Sequence, residues 1–199
     1  MRRNSSTFVV ALALAAALIA ARRAPNHGDA QAADGCWFQP KSQDPTVRAS
    51  KHDSTSVALD GGTVKICYGR PNVRGRPIMG KLVPYGEPWR LGADEATAIY
   101  VPFRAKIAGV KVEPGWYSLY VIPTATQWQI VVNSDAKRWG VDIDAKVRAK
   151  DVGTGTVPSS KTAAPVETLT IALSKDAPSK ATITVQWSDT EVHIPVEKQ

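Results

Sequence analysis

The chain has 199 residues, with 25 basic and 18 acidic side chains and a formal net charge of +7. This length suits one domain with a substantial core and is too short for two large domains. The mild positive charge comes without a basic stripe or a nucleic-acid-binding signature, which argues against nucleic acid as the partner.

The N-terminal region has the layout of a secretory signal peptide. Arg2 and Arg3 precede an apolar run, Phe8–Ala21, and the triplet Ala30–Ala32 offers a small-residue cleavage site. The apolar run is shorter than the ~20 residues that a helix needs to span a bilayer. We therefore expect residues 1–32 to be removed, leaving an exported protein, periplasmic or extracellular, without a membrane span. Because the stretch before the triplet is long and basic, a retained N-terminal anchor remains as the less favoured alternative.

Residues 33–50 are polar and turn-rich, and they are predicted to form an extension before the main domain at 51–197. The two cysteines of the chain are Cys36 and Cys67. In an exported chain such an even pair indicates a disulfide. Cys67 lies on the face of its strand opposite the alternating apolar residues, where a segment carrying Cys36 can cross it. Two unpaired thiols are the alternative.

Short stretches of alternating apolar and polar residues follow at close intervals, and none has a sustained helical period. Both faces of 115–122 are apolar, which is typical of a central strand covered on each side. The pattern predicts an all-β fold, a single antiparallel β-sandwich of eight to ten short strands. The predicted strands are 54–59, 63–68, 97–103, 115–122, 128–133, 146–152, 167–173, 181–187 and 191–196, with a turn at 60–62 and a loose segment at 153–165.

The segment Tyr68–Thr97 is rich in glycine, proline and arginine. Apolar residues such as Ile78, Val83 and Leu91 are interspersed in it, and a flexible linker would not need such residues. The composition predicts a long, ordered and packed loop that carries cationic side chains on its outside.

Several motifs in and after this loop match a known family. The matching pieces include Tyr68–Pro71, Val73–Arg76, Leu82–Gly86, Gly92–Thr97 and Pro114–Leu119. They resemble the domain-of-unknown-function family 2911, a group of exported bacterial proteins, and the similarity extends over about residues 45–197. Trp116 stands where a threonine is usual, and Cys67 is peculiar to this member. The resemblance implies the fold of the family and an export route, and it implies no catalytic residues.

The cationic loop is the candidate ligand site. Arginine presents a planar fork of donors that fits carboxylate, phosphate or sulfate, and exposed tryptophans stack on sugars, although most fill cores. The predicted partner is an anionic small molecule, a glycan or an acidic protein surface. The alternative is that the arginines pair with nearby acids and only brace the loop. The candidate ligand-binding residues are Tyr68, Arg70, Arg74, Arg76, Tyr85, Trp89, Arg90 and Glu95.

The residues available for catalysis are few. Asp94 and Glu95 could divide into acid and base, but neighbours in an extended segment point to opposite sides. His52 and His193 have no ligand at metal-binding spacing, and the two carboxylates of the DIDA segment at 142–145 are too few to indicate calcium. The sequence therefore predicts no catalytic residue, no metal site and no cofactor.

These observations favour a non-enzymatic binding or interaction module of the cell envelope. The rival function is a hydrolase or lyase that uses Tyr68, Arg90 and Glu95 in a cleft under the loop. A purely structural role, in which the loop stiffens the domain, is the third interpretation.

Overall fold

The structure is a computed structural model that describes Met1 and residues 35–39, 44 and 47–199. The predicted signal peptide, apart from Met1, lies outside the described residues. Nearly all regular structure is β, which confirms the predicted all-β class. The elements are β1 (Lys51–Leu59), β2 (Gly62–Arg70), β3 (Thr97–Val101), β4 (Ala105–Ile107), β5 (Val110–Val112), β6 (Gly115–Pro123), β7 (Gln127–Asn133), α1 (Ala145–Arg148), β8 (Asp151–Ala177) and β9 (Lys180–Lys198).

The nine strands are joined by antiparallel hydrogen bonding in the order β1-β2-β3-β6-β7-β8-β9-β4-β5. The long strand β8 connects the two halves of this sheet, because its first part pairs with β7 and its second part with β9. Since the hydrogen bonds run through all nine strands in one order, the two-sheet sandwich arrangement stays a prediction. Among the described residues, no helix is long and apolar enough to cross a bilayer.

One apolar core is shared by both halves of the sheet. It takes alternate residues of β2, such as Val64 and Ile66, and alternate residues of β9, such as Ile183 and Val185. The alternation of these strands places one face in the core and leaves the other outside. β6 lies between β3 and β7, and Tyr120 on its outer face is as fully buried as the core residues. The prediction that this strand is central and covered on both sides is confirmed.

Several parts of the predicted strand pattern are wrong. Residues 145–148 form α1, where the Asp144 side chain accepts a hydrogen bond from the Val147 backbone N–H at 2.9 Å, and the strand predicted at 146–152 begins only at Asp151. The segment 153–165 is not loose but continues β8. Its Gly155 permits a close approach of two backbones, since a Cβ there would lie 1.9 Å from the Ala108 carbonyl oxygen. In addition, the predicted strands 181–187 and 191–196 are one strand, β9, and β4 and β5 were not predicted.

The connecting loop, residues 71–96, is ordered and packed as predicted. Ile78, Val83 and Leu91 are buried in the core. The loop backbone also pairs with the sheet, because Trp89 and Val121 exchange two backbone hydrogen bonds of 2.7 and 2.8 Å. These contacts fix the loop, so the arginine side chains on it project from a defined backbone.

The predicted disulfide is present. The Cys36 and Cys67 sulfur atoms are bonded, and the two Cα atoms lie 5.7 Å apart. The bond attaches the segment 35–39 to β2. The bond rules out the alternative of two unpaired thiols and links the N-terminal extension covalently to the sheet.

Candidate functional site

Arg70 braces three strands. Its Nη1 forms an ion pair of 3.0 Å with Asp53 Oδ2 on β1. Its Nε donates to the Leu169 carbonyl oxygen, and its Nη2 donates to Thr170 Oγ1 on β8, both at 3.1 Å. The side chain is half-buried. For this arginine the geometry follows the bracing interpretation, with partners on β1 and β8 rather than in the loop.

Arg74 and Arg76 differ from Arg70 because both side chains are exposed. Arg74 Nη2 donates to the Ala49 carbonyl oxygen at 3.2 Å, and Arg76 Nε donates to the Val73 carbonyl oxygen at 2.9 Å. Neither guanidinium forms an ion pair with a described residue. Their donors are held by backbone carbonyls, which position the cations without neutralising their charge.

Arg90 lies deeper in the loop. Burial lowers the pKa of its guanidinium, and the Asp94 carboxylate partly opposes that shift. An arginine keeps its charge at neutral pH even so. The aliphatic part of Arg90 passes close to Gly140, where a Cβ would lie 2.2 Å from Arg90 Cδ. Within the described part of the chain, Arg90 Nε is buried without a hydrogen-bond partner.

Arg74, Arg76 and Arg90 line one cavity of about 350 Å³, which we call the arginine cavity. Its wall includes Trp89, whose ring stacks on that of Trp187 with centroids 5.5 Å apart and an interplanar angle of 16°. The six residues that give the cavity its character are Arg74, Arg76, Arg90, Asp94, Trp89 and Trp187.

A second cavity adjoins the first. It measures about 340 Å³, is lined by Lys51 and Arg70 among others, and shares Ala49 and Asn72 with the arginine cavity. The positive side chains of the two cavities therefore lie along one continuous groove beside the loop. Asp94 also lines it, but the basic residues are in excess, and a groove with an excess of one sign of charge concentrates ions of the opposite sign.

The remaining predicted site residues lie elsewhere. Tyr85 is exposed and lines neither cavity. The Tyr68 hydroxyl is buried between strands, and Glu95 is buried against Arg48. Neither of these two side chains lines either cavity. Of the trio considered for catalysis, only Arg90 faces the arginine cavity.

A model of a protein family described as "Protein of unknown function (DUF2911)" matches residues 50–196. The chain belongs to the DUF2911 family. No curated protein and no solved structure matches the chain. The arginine cavity lies within the matched region except for Ala49 at its rim, so it is part of the DUF2911 domain itself.

Two residues that matter for the site were not among the predicted ones. Arg48 comes from the predicted extension and pairs with Glu95 across 47 positions of sequence. Trp187 was expected as one of the alternating apolar residues of its strand, and the stack with Trp89 comes from a loop 98 positions earlier in the sequence. No short-range motif signals either pairing. Among the described residues, no group of three or more potential ligands could hold a metal ion.

Replacing Tyr68 by phenylalanine should destabilise the DUF2911 domain without affecting ligand binding. The Tyr68 hydroxyl accepts a hydrogen bond from the Ile171 N–H at 2.9 Å and donates to the Ile171 carbonyl oxygen at 3.2 Å. The phenylalanine would leave that buried N–H unpaired, at a cost of about 1–3 kcal/mol in the free energy of unfolding. Urea denaturation measures the loss, and an unchanged midpoint would contradict the structural role of the hydroxyl.

Proposed function

We propose that this protein is a non-enzymatic binding module of the cell envelope that holds an acidic glycan in the arginine cavity. The observation that supports this most is that three arginines line one cavity together with a tryptophan stack. Guanidinium groups bind carboxylates through paired hydrogen bonds, and indole rings offer a flat apolar face. A sugar acid presents both features, since it has a carboxylate and an apolar ring face.

Unsatisfied donors add to this argument. In the part of the chain that the structure describes, Arg90 Nε and Trp187 Nε1 are both buried without hydrogen-bond partners, and both residues line the cavity. A buried donor without an acceptor is costly. A ligand rich in oxygen acceptors supplies what these residues lack, provided the cavity opens slightly to admit it.

The setting fits an extracytoplasmic protein. Disulfides persist in oxidising compartments and are rare in the cytosol, and this chain carries one between Cys36 and Cys67. The expected signal peptide at 1–32 would provide the export route. Acidic polysaccharides are abundant outside the cytoplasm, where such a module would meet them.

The test is calorimetric titration with trigalacturonic acid and with its methyl ester, which keeps the sugar rings and removes the charge. We expect the acid to bind, with an affinity that falls as salt rises. Arg74→Gln and Arg76→Gln should each raise the Kd about tenfold, as the loss of a charged hydrogen bond implies. Trp89→Ala should weaken binding as well.

The matched control is Arg104→Gln. Arg104 is exposed and paired with Glu113, and it does not line the arginine cavity. Its replacement removes the same charge from the surface and should leave the Kd unchanged. Equal binding of the ester, or equal effects of the Arg74 and Arg104 variants, would count against the proposal. Release of shorter sugars during the titration would favour the hydrolase or lyase instead.

A further inference from the structure

The face of the sheet opposite the core has a row of small side chains next to a row of large ones. On the face opposite the core, Cys67, Ala98 and Ser118 lie side by side in register across β2, β3 and β6. The next row on that face includes Tyr100 and Trp116, whose rings lie 5.4 Å apart. Because small side chains stand beside a row of aromatic rings, the sheet surface has a depression at Cys67 and Ala98 with Trp116 at its edge, whereas Ser118 is fully covered.

The disulfide-linked segment closes this depression into a cavity. The bond from Cys36 to Cys67 ties residues 35–37 to this face, and these residues line a cavity there together with Cys67, Ala98 and Trp116. The cavity, which is partly open to solvent, measures about 340 Å³, a volume within the usual range for small-molecule sites. We call it the disulfide cavity. It shares no lining residue with the arginine cavity.

Its lining is mostly apolar and carries one kind of charge. Lys137 contributes an exposed ammonium group that forms no ion pair with any described residue. His52 is half-buried beside the ring of Phe38, and burial lowers the pKa of its imidazole, so it is mainly neutral at pH 7. Among the residues that the structure describes, no carboxylate lines the cavity. The field inside therefore favours an anionic group near Lys137.

We propose that the disulfide cavity is a second ligand site, which binds a small flat aromatic molecule bearing a carboxylate. The aromatic ring would lie between Trp37 and Trp116 above the small side chains, and the carboxylate would face Lys137. Small-molecule sites commonly combine apolar and aromatic walls with a few polar groups that fix orientation. This lining fits that description, because Trp37 and Trp116 limit the size of the ligand and Lys137 selects its charge.

The experiment uses the oxidised, full-length exported protein and two probes, 1-naphthoate and 1-naphthalenemethanol. They share a ring system and differ in charge. Titration calorimetry should show saturable binding of naphthoate at one site, about fivefold tighter than the alcohol, which is the size expected for an exposed ion pair. Lys137→Gln should reduce the naphthoate affinity to that of the alcohol and leave the alcohol unchanged.

A second variant measures the contribution of the aromatic wall to binding independently of the Lys137 charge. Trp37 lies outside every strand, so Trp37→Ala should fold normally and weaken both probes by about three- to tenfold through the lost ring contact. The controls Lys111→Gln, at another exposed lysine, and Arg74→Gln, in the arginine cavity, should change neither affinity. Equal affinity for the two probes, an unaffected Lys137→Gln variant, or no saturable binding would each overturn the proposal.

Discussion

Replacing Arg48 by methionine should lower the free energy of unfolding by about 3–5 kcal/mol, the range typical of breaking a buried ion pair. The Arg48 and Glu95 side chains are only 4% and 3% exposed, and Arg48 Nη1 contacts Glu95 Oε2 directly. Without Arg48 the Glu95 carboxylate would stay buried without its cation. The total free energy of unfolding of a folded domain is only about 5–15 kcal/mol. This loss should therefore be visible as a large shift in the urea midpoint measured by tryptophan fluorescence.

The matched control is Arg104→Met, at the surface pair with Glu113, where the two side chains are 73% and 70% exposed. Exposed pairs contribute about 0–1 kcal/mol, so this variant should unfold almost as the parent does. The double variant Arg48→Met/Glu95→Met should recover much of the loss, because it leaves no unpaired charge in the interior. Similar losses for Arg48→Met and Arg104→Met would contradict the account.

The same pair predicts a pH dependence. Burial acts to raise the pKa of Glu95, but the hydrogen bonds from Arg48 and from the Gln39 backbone N–H outweigh it, and the pKa lies below its usual value. A carboxyl whose pKa is lower in the folded state stabilises the protein above its unfolded pKa, and this contribution is lost as pH falls through the folded value. Glu95→Gln should therefore flatten the fall in stability below about pH 4.

Removing the disulfide with Cys36→Ser/Cys67→Ser should lower the free energy of unfolding by about 3–4 kcal/mol. The bond closes a loop between cysteines 31 positions apart, and its loss restores the conformational freedom of that loop in the unfolded chain. The folded state is affected too, because the tethered segment supplies the Gln39 N–H that donates to Glu95 Oε1 at 2.9 Å.

Reduction provides the control for this variant. Wild-type protein in excess dithiothreitol should unfold at the same urea concentration as the double variant, and the double variant should not respond to the reductant. If reduced and oxidised wild-type protein unfold together, the bond contributes nothing to stability and the account of the N-terminal segment is wrong.

The strands were predictable wherever one face is apolar and the other polar. The turn at 60–62 and the central position of β6 followed from this alternation, and so did the face on which Cys67 lies. The alternation of apolar and polar residues gave the wrong prediction at 153–165, because the glycine, threonine, proline and serine residues of this segment are typical of a loop. There a strand forms because Gly155 admits the neighbouring backbone, a requirement set by tertiary structure.

The candidate site was predicted only in outline. The sequence indicates a packed cationic loop, but it does not show which arginines are used internally. Arg70 finds its partners on β1 and on β8, about 100 positions away, whereas Arg74 and Arg76 are held by carbonyl oxygens close to the cavity. The partner of Glu95, likewise, is not Arg90 in the loop but Arg48. Such pairings between distant parts of the chain leave no local pattern.

The most direct measurement of whether the arginine cavity holds an anionic ligand is NMR of the arginine Nε–H and tryptophan indole N–H signals during titration with trigalacturonic acid. We expect the signals of Arg74, Arg76 and Arg90 to move together with those of Trp89 and Trp187, while that of Arg104 stays in place. Shifts as large at Arg104 as at Arg90, or signals that do not move at all, would contradict it.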